Sequence, residues 1–171
     1  AYDVSRLSPT RTSSEQATGA EGDQGPPKAL ETLPPPLLVN LVNLHTNEVL
    51  PLLHHRMPTR RVAQTFLRCR WTQKSGHLDL RVLSKVLDTA RLFRAKTVEV
   101  ISGFRHSKFN EMLRKKGHQV ARRSRHTLGK ALDFRLSGVN IQALYTYLVS
   151  SSFGGVGLYR SSGFIHLDSG P

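Results

Sequence analysis

The sequence predicts an α+β fold, a small antiparallel sheet with helices packed against it. Alternating apolar and polar residues mark strands at 97–101 and 130–136. Apolar residues at helical spacing mark 80–94 and 141–150 as helices. Two stretches, 37–53 and 155–168, read as hairpins.

Ser, Thr, Gly, Pro, Gln and Glu dominate residues 5–28, and Pro34-Pro35-Pro36 follows. Such a composition buries too little apolar surface to offset the entropy of ordering. Residues 1–36 are therefore expected to form a disordered or loosely docked arm, and residues 37–171 the folded domain. In the first hairpin, runs at 37–42 and 49–53 flank Asn43 to Glu48, with Asn47 as the turn residue. His54, His55 and Arg56 follow as exposed loop. Residues 62–71 fit a helix or a strand and read rather as an irregular or helical segment. Asp79 stands where an N-cap belongs, and Leu83, Val86, Leu87, Ala90 and Phe93 give the following helix one apolar face for the core.

After the 97–101 strand comes a short basic helix, 107–116, that stops at Gly117, and then a polar loop to Arg125. In the 130–136 strand Leu132, Phe134 and Leu136 share one face, so Asp133 points the other way with Ala131 and Arg135. Asn140 caps a helix with Leu144, Tyr147 and Leu148 inward. In the last hairpin, Arg160 to Gly163 join two strands. Ile165 and Leu167 share one face of the second, and Phe164, His166 and Asp168 the other.

The chain carries 25 Lys/Arg against 12 Asp/Glu. Residues 1–30 hold three and four of these, leaving 22 and eight, a net of +14, for the remainder. The densest run, Arg114, Lys115, Lys116, Arg122, Arg123, Arg125 and Lys130, suits a polyanion, whether nucleic acid or anionic cell-wall polymer, or else a solvated basic face. No recognition helix or aromatic stacking platform is readable, so no nucleic-acid partner is expected. Cys69, the single cysteine, excludes an internal disulfide and reads as a buried small hydrophobe. No apolar run reaches the roughly 18 residues of a membrane span. The domain is expected to be a monomer.

The chemistry concentrates in Ser124-Arg125-His126-Thr127-Leu128-Gly129-Lys130-Ala131-Leu132-Asp133, answered by His166-Leu167-Asp168. An Asp in the middle of an apolar strand needs a partner or a metal. Two imidazoles and one carboxylate suit a borderline ion such as Zn²⁺, and three protein ligands leave a fourth position open, as in catalytic sites. A zinc ion there would lower the pKa of a bound water toward about 7. This reads as a zinc hydrolase.

Ser-x-His-x-x-Gly-x-Ala-x-Asp followed by a distal His resembles the zinc peptidases that include the D-alanyl-D-alanine dipeptidases and carboxypeptidases and the hedgehog signalling domain. It is more similar still to the YcbK-like murein endopeptidases. The resemblance covers roughly residues 41–171. It includes Asn43-Leu44-His45-Thr46-Asn47-Glu48, Ile101-Ser102-Gly103-Phe104-Arg105, Gly154-Gly155-Val156-Gly157-Leu158-Tyr159 and the closing stretch from Phe164 to Pro171. It implies zinc on His126, Asp133 and His166, hydrolysis of peptide bonds in peptidoglycan stems or cross-links by a murein endopeptidase or a carboxypeptidase, and a periplasmic or cell-surface location. In the related dipeptidases an arginine after such a strand end contacts the scissile carbonyl. Carried to Arg105, this gives an oxyanion ligand; the alternative is a salt bridge to Glu99 or Glu111.

Ser124 is expected to steady the loop or Asp133. Ser124, Arg125, Gly155 and Tyr159 are the expected substrate contacts, with the glycine letting an extended peptide pass close. The pattern departs from its relatives at the general base. The dipeptidases carry a carboxylate three residues before the second zinc histidine, where Gly163 stands. Another branch carries a histidine two residues before it, where Phe164 stands. Asp168 is the nearest carboxylate. It is either a base acting through the zinc water or a partner that fixes an imidazole. The competing reading is a non-catalytic, zinc-stabilised module that docks on an anionic cell-wall polymer.

Overall fold

The structure is a computed structural model that describes residues 38–53, 56–117 and 121–170. The expected arm over 1–36, His54, His55 and His118 lie outside the described residues. The strands are β1 (Leu38–Asn43), β2 (Val49–Leu53), β3 (Thr97–Ser102), β4 (Ala131–Leu136), β5 (Val156–Tyr159) and β6 (Phe164–Asp168). The helices are α1 (Arg60–Phe66), α2 (Leu80–Leu92), α3 (Ser107–Lys115) and α4 (Ile141–Ser150), and a 3₁₀ turn spans Arg125–Leu128. The α+β expectation holds.

The strands form one six-stranded sheet in the order β2-β1-β3-β4-β6-β5. Four of its pairs are antiparallel, but β1 and β3 run parallel, so the sheet is mixed. The reason lies in the connection. A tight turn at Asn47 (φ 57°) folds β2 back onto β1. The chain then passes through α1 and α2 and lays β3 against the far edge of β1, antiparallel to β2 and therefore parallel to β1.

Local signals account for the helices. Asp79 caps α2 by accepting from the Arg81 N–H, and Asn140 caps α4 by accepting from Gln142 and Ala143. The α2 helix ends at Leu92, two residues earlier than its periodicity predicts, because Arg94 turns into the left-handed region (φ 51°). The segment at 62–71 is helical only as far as Phe66. Val82, Leu83, Val86 and Leu87 of α2 and Leu144 and Leu148 of α4 pack on Val98, Val100, Leu132, Phe134, Leu136, Ile165 and Leu167 of the sheet. Phe93 and Tyr147 close the edge of this core ring to ring, 5.6 Å apart. Cys69 is buried and free, as its surroundings predict. No helix among the described residues is long and apolar enough to cross a membrane.

Leu132, Phe134 and Leu136 of β4 and Ile165 and Leu167 of β6 lie on one face of the sheet. The intervening residues therefore emerge on the other face, toward α3 and the 3₁₀ turn, and there the site forms.

Candidate metal centre

In the β4–β6 ladder Asp133 stands directly opposite His166. A register shift in β3 between Val100 and Ser102 brings Ser102 opposite Asp133 from the other side. The 3₁₀ turn lowers His126 onto this pair. Gly129 ends that turn at φ 64°, and a Cβ there would lie 1.7 Å from the His77 carbonyl oxygen, so only glycine fits. The Gly129 carbonyl accepts the Asp79 N–H at 2.8 Å and docks the turn on the start of α2.

Three donor atoms converge. His126 Nε2 lies 3.2 Å from Asp133 Oδ1 and 3.2 Å from His166 Nδ1, and His166 Nδ1 lies 2.8 Å from Asp133 Oδ1. Among the described residues this is the one His/Cys/Asp/Glu group of three or more able to hold a metal ion. Both imidazoles are fixed from behind. His126 Nδ1 is 2.9 Å from the Gly103 carbonyl, which assigns the proton to Nδ1 and turns the Nε2 lone pair inward. His166 Nε2 is 3.2 Å from Asp168 Oδ2, which leaves Nδ1 to face the centre. Asp168 itself accepts the N–H of Gly170 at 2.8 Å and of Gly155 at 3.3 Å.

Electrostatics follow from this packing. Burial works to raise the Asp133 carboxyl, but His126 and His166 hold it well below the usual carboxylate range. Burial works to lower His166, and Asp133 and Asp168 together outweigh it, so the imidazole is raised. Asp168 is lowered despite its burial, chiefly by the Gly170 N–H and by His166.

The donor set suits a borderline divalent ion. Adjacent donors of a tetrahedral site with bonds of about 2.0–2.1 Å lie about 3.3 Å apart. The three atoms here would have to separate by only a few tenths of an ångström to reach that spacing.

Arg105 lies beside the triad. Its Nη2 is 4.0 Å from Asp133 Oδ2 and 3.4 Å from Ser102 Oγ, and its Nη1 is 3.4 Å from Asn110 Oδ1. Its Nε is buried without a hydrogen-bond partner among the described residues. Neither surface salt bridge open to it in the sequence forms: Glu99 pairs with Arg135, and Glu111 with Lys115. A cleft of about 290 Å³ opens over the centre and is lined by Arg105, Arg123, Ser124, Arg125 and Tyr159. The Ser124 carbonyl accepts the Thr127 hydroxyl at 2.6 Å and its N–H at 3.0 Å. Tyr159, 49% exposed, stacks on Phe164 at 4.5 Å. Asp133 is the one carboxylate that lines this cleft among the described residues.

A Cβ at Gly155 would lie 2.3 Å from Asp168 Oδ2, so the glycine makes room for the Asp168 carboxylate. Two residues escaped the sequence reading. Asn110 is buried, donates to the Ala121 carbonyl at 3.1 Å and bonds Arg105. Gly103 orients His126 through its carbonyl. Gly103 stands inside the Ser-Gly-Phe-Arg stretch, but nothing local marks its carbonyl as a ligand holder.

Comparison with known proteins agrees with this geometry. The family model described as peptidoglycan L,D-endopeptidase MepK matches residues 34–171. The probable peptidoglycan L,D-endopeptidase MepK of Haemophilus influenzae is 33% identical over 150 residues, covering 84% of this chain and 81% of the relative. Peptidoglycan L,D-endopeptidase MepK of Escherichia coli strain K12 is 41% identical over 76 residues, 44% of this chain and 42% of the relative. No solved structure matches significantly. The convergent His/Asp/His triad and the match across most of the chain lead to one conclusion: the chain belongs to the MepK family of peptidoglycan endopeptidases, a branch of the M15 peptidases.

Proposed function

We propose that the protein is a zinc-dependent endopeptidase that cleaves L,D bonds in peptidoglycan stems or cross-links, outside the cytoplasm and as a monomer. The observation that carries this is the convergence of His126 Nε2, Asp133 Oδ1 and His166 Nδ1 at 2.8–3.2 Å beneath a cleft that also holds Arg105. These three residues would hold the ion. When bound, zinc supplies Lewis acidity toward a carbonyl and acidifies water. Arg105 directs its N–H groups to where negative charge gathers on the scissile carbonyl oxygen, and its low exposure strengthens that interaction. Asp168 acts as the partner that fixes His166, because its oxygens already serve His166, Gly155 and Gly170. Ser124, Arg125 and Tyr159 line the approach for the stem, with Arg123 and Arg125 suited to its carboxylates. Residues 37–171 form the catalytic domain, and residues 1–36 an arm that hydrolysis does not need.

The lack of a second carboxylate in the cleft among the described residues favours one other reading, a zinc-stabilised module that binds cell-wall polymer without cutting it. Digestion of purified peptidoglycan, with products analysed by mass spectrometry, separates the two. The peptidase reading predicts L,D cleavage products that a chelator abolishes and zinc restores. Binding to the polymer with no new products would establish the module.

A further inference from the structure

A second groove, of about 390 Å³, meets the catalytic cleft and shares Arg105 and Asp133 with it. Its walls are apolar: Ile101 from β3, Phe109 and Leu113 from α3, and Phe164 from β6. Arg70 also lines it. This side chain is exposed, yet it is held in place. Its guanidinium sits over the Phe109 ring, 5.3 Å from the centroid, and hydrogen-bonds the His45 imidazole. Phe109 is itself buried and stacked on Trp71 at 5.8 Å. Burial and the neighbouring Arg70 hold His45 below its ordinary value, so the ring stays neutral and accepts from the guanidinium.

Among the described residues no carboxylate pairs with Arg70. Glu48 is taken by Arg68 at 2.7 Å, and Glu111 by Lys115 at 3.0 Å. Arg70 and Arg105 both line the groove. Two cations therefore face one apolar groove that contains a single carboxylate, Asp133, already committed to the two histidines. A ligand that completes this arrangement carries an aliphatic arm and an anionic tip.

We propose that this groove is a specificity subsite for a stem residue beside the scissile bond, whose aliphatic arm lies on Ile101, Phe109, Leu113 and Phe164 and whose free carboxylate pairs with Arg70. The proposal rests on the endopeptidase reading above. A fork-shaped guanidinium pre-set on an aromatic face discriminates well between a carboxylate and its amide, because the amide returns neither the charge nor both acceptors.

The test uses the full chain loaded with zinc and two cross-linked muropeptides, identical except that the arm's carboxylate is free in one and amidated in the other. The readout is the ratio of their kcat/KM values. Wild type is expected to favour the free acid by about tenfold or more, the scale of a charge-assisted hydrogen bond. In Arg70→Met that ratio is expected to fall toward one, and Arg70→Lys to recover part of it. A wild-type ratio near one overturns the subsite, whatever the variants do. A ratio unchanged in Arg70→Met also overturns it. Hydrolysis of both muropeptides without preference rejects the subsite and leaves the endopeptidase standing, whereas hydrolysis of neither overturns both.

Discussion

The two faces of β4 and β6 differ in kind although they belong to the same two strands. One face holds Leu132, Phe134, Leu136, Ile165 and Leu167, packed against α2 and α4. The other holds Asp133, which is buried, and His166 and Asp168, which are partly buried, all among polar partners. Strand alternation alone separates them. The core face takes its free energy from apolar burial, which is tolerant of direction. The site face depends on lone pairs aimed within a few tenths of an ångström, and each is aimed by something behind it: the Gly103 carbonyl for His126 and the Asp168 carboxylate for His166. Stability and chemistry should therefore be separable by mutation, one residue apart along the same strand.

The largest effect belongs to the core face. Phe134 is fully buried, and Phe134→Ala is expected to destabilise the domain by about 3–5 kcal/mol, read by urea unfolding. Its neighbour Asp133→Asn is expected to lose metal while the fold is kept. Comparable destabilisation by both would erase the distinction between the faces. On the site face, Arg105→Ala is expected to keep the metal and lower turnover by about 10²-fold or more, the scale of removing one oxyanion donor. Unchanged kcat on a muropeptide would return Arg105 to a structural role.

Asp168→Asn sharpens the account of what stands behind a ligand. It is expected to weaken zinc affinity by about 10–100-fold, with activity recovered in excess metal. Lost hydrolysis at full metal occupancy, with an altered acidic limb of the pH–rate profile, would instead make Asp168 the base.

The smallest effect lies where the two faces are tied together. Asp79 caps α2 under the core and also accepts the Ser169 hydroxyl at 2.9 Å, just past β6. Arg81 is the main influence holding its carboxyl well below the usual range, against some burial, with Ser169 adding to it. A depressed folded pKa means that the stabilisation is complete above the unfolded value of about 3.9 and disappears as pH falls through the folded value. Asp79→Ala is expected to lose about 1 kcal/mol at pH 6. The gap to wild type should narrow in unfolding experiments at about pH 3 and below. A gap that widens on acidification would reverse the sign of this argument.

Much of this division was legible in the sequence, for local reasons. Alternation in 130–136 assigns Asp133 to the face opposite Phe134, and Asp79 and Asn140 announce their helices because a cap is decided within three residues. The triad was legible because its spacing matches a known pattern. Long-range pairing was not. Nothing in residues 38–43 says that β3 will run parallel beside them, since that depends on where the chain returns after α1 and α2. The 3₁₀ turn of four residues is too short to show a period. Gly155 was legible as a point of close approach but not as a neighbour of Asp168, 13 residues away across the hairpin. Arg105 could be placed at the site, but its Asn110 and Ser102 partners could not.

The most direct test of the central claim, that the polar face of β4 and β6 is a metal centre, is the zinc content of the purified protein after refolding in zinc, measured beside His166→Ala. The account predicts one ion per chain in the wild type and a marked loss in the variant, with both folded. Near-zero zinc in the wild type, or undiminished binding in His166→Ala, would contradict it.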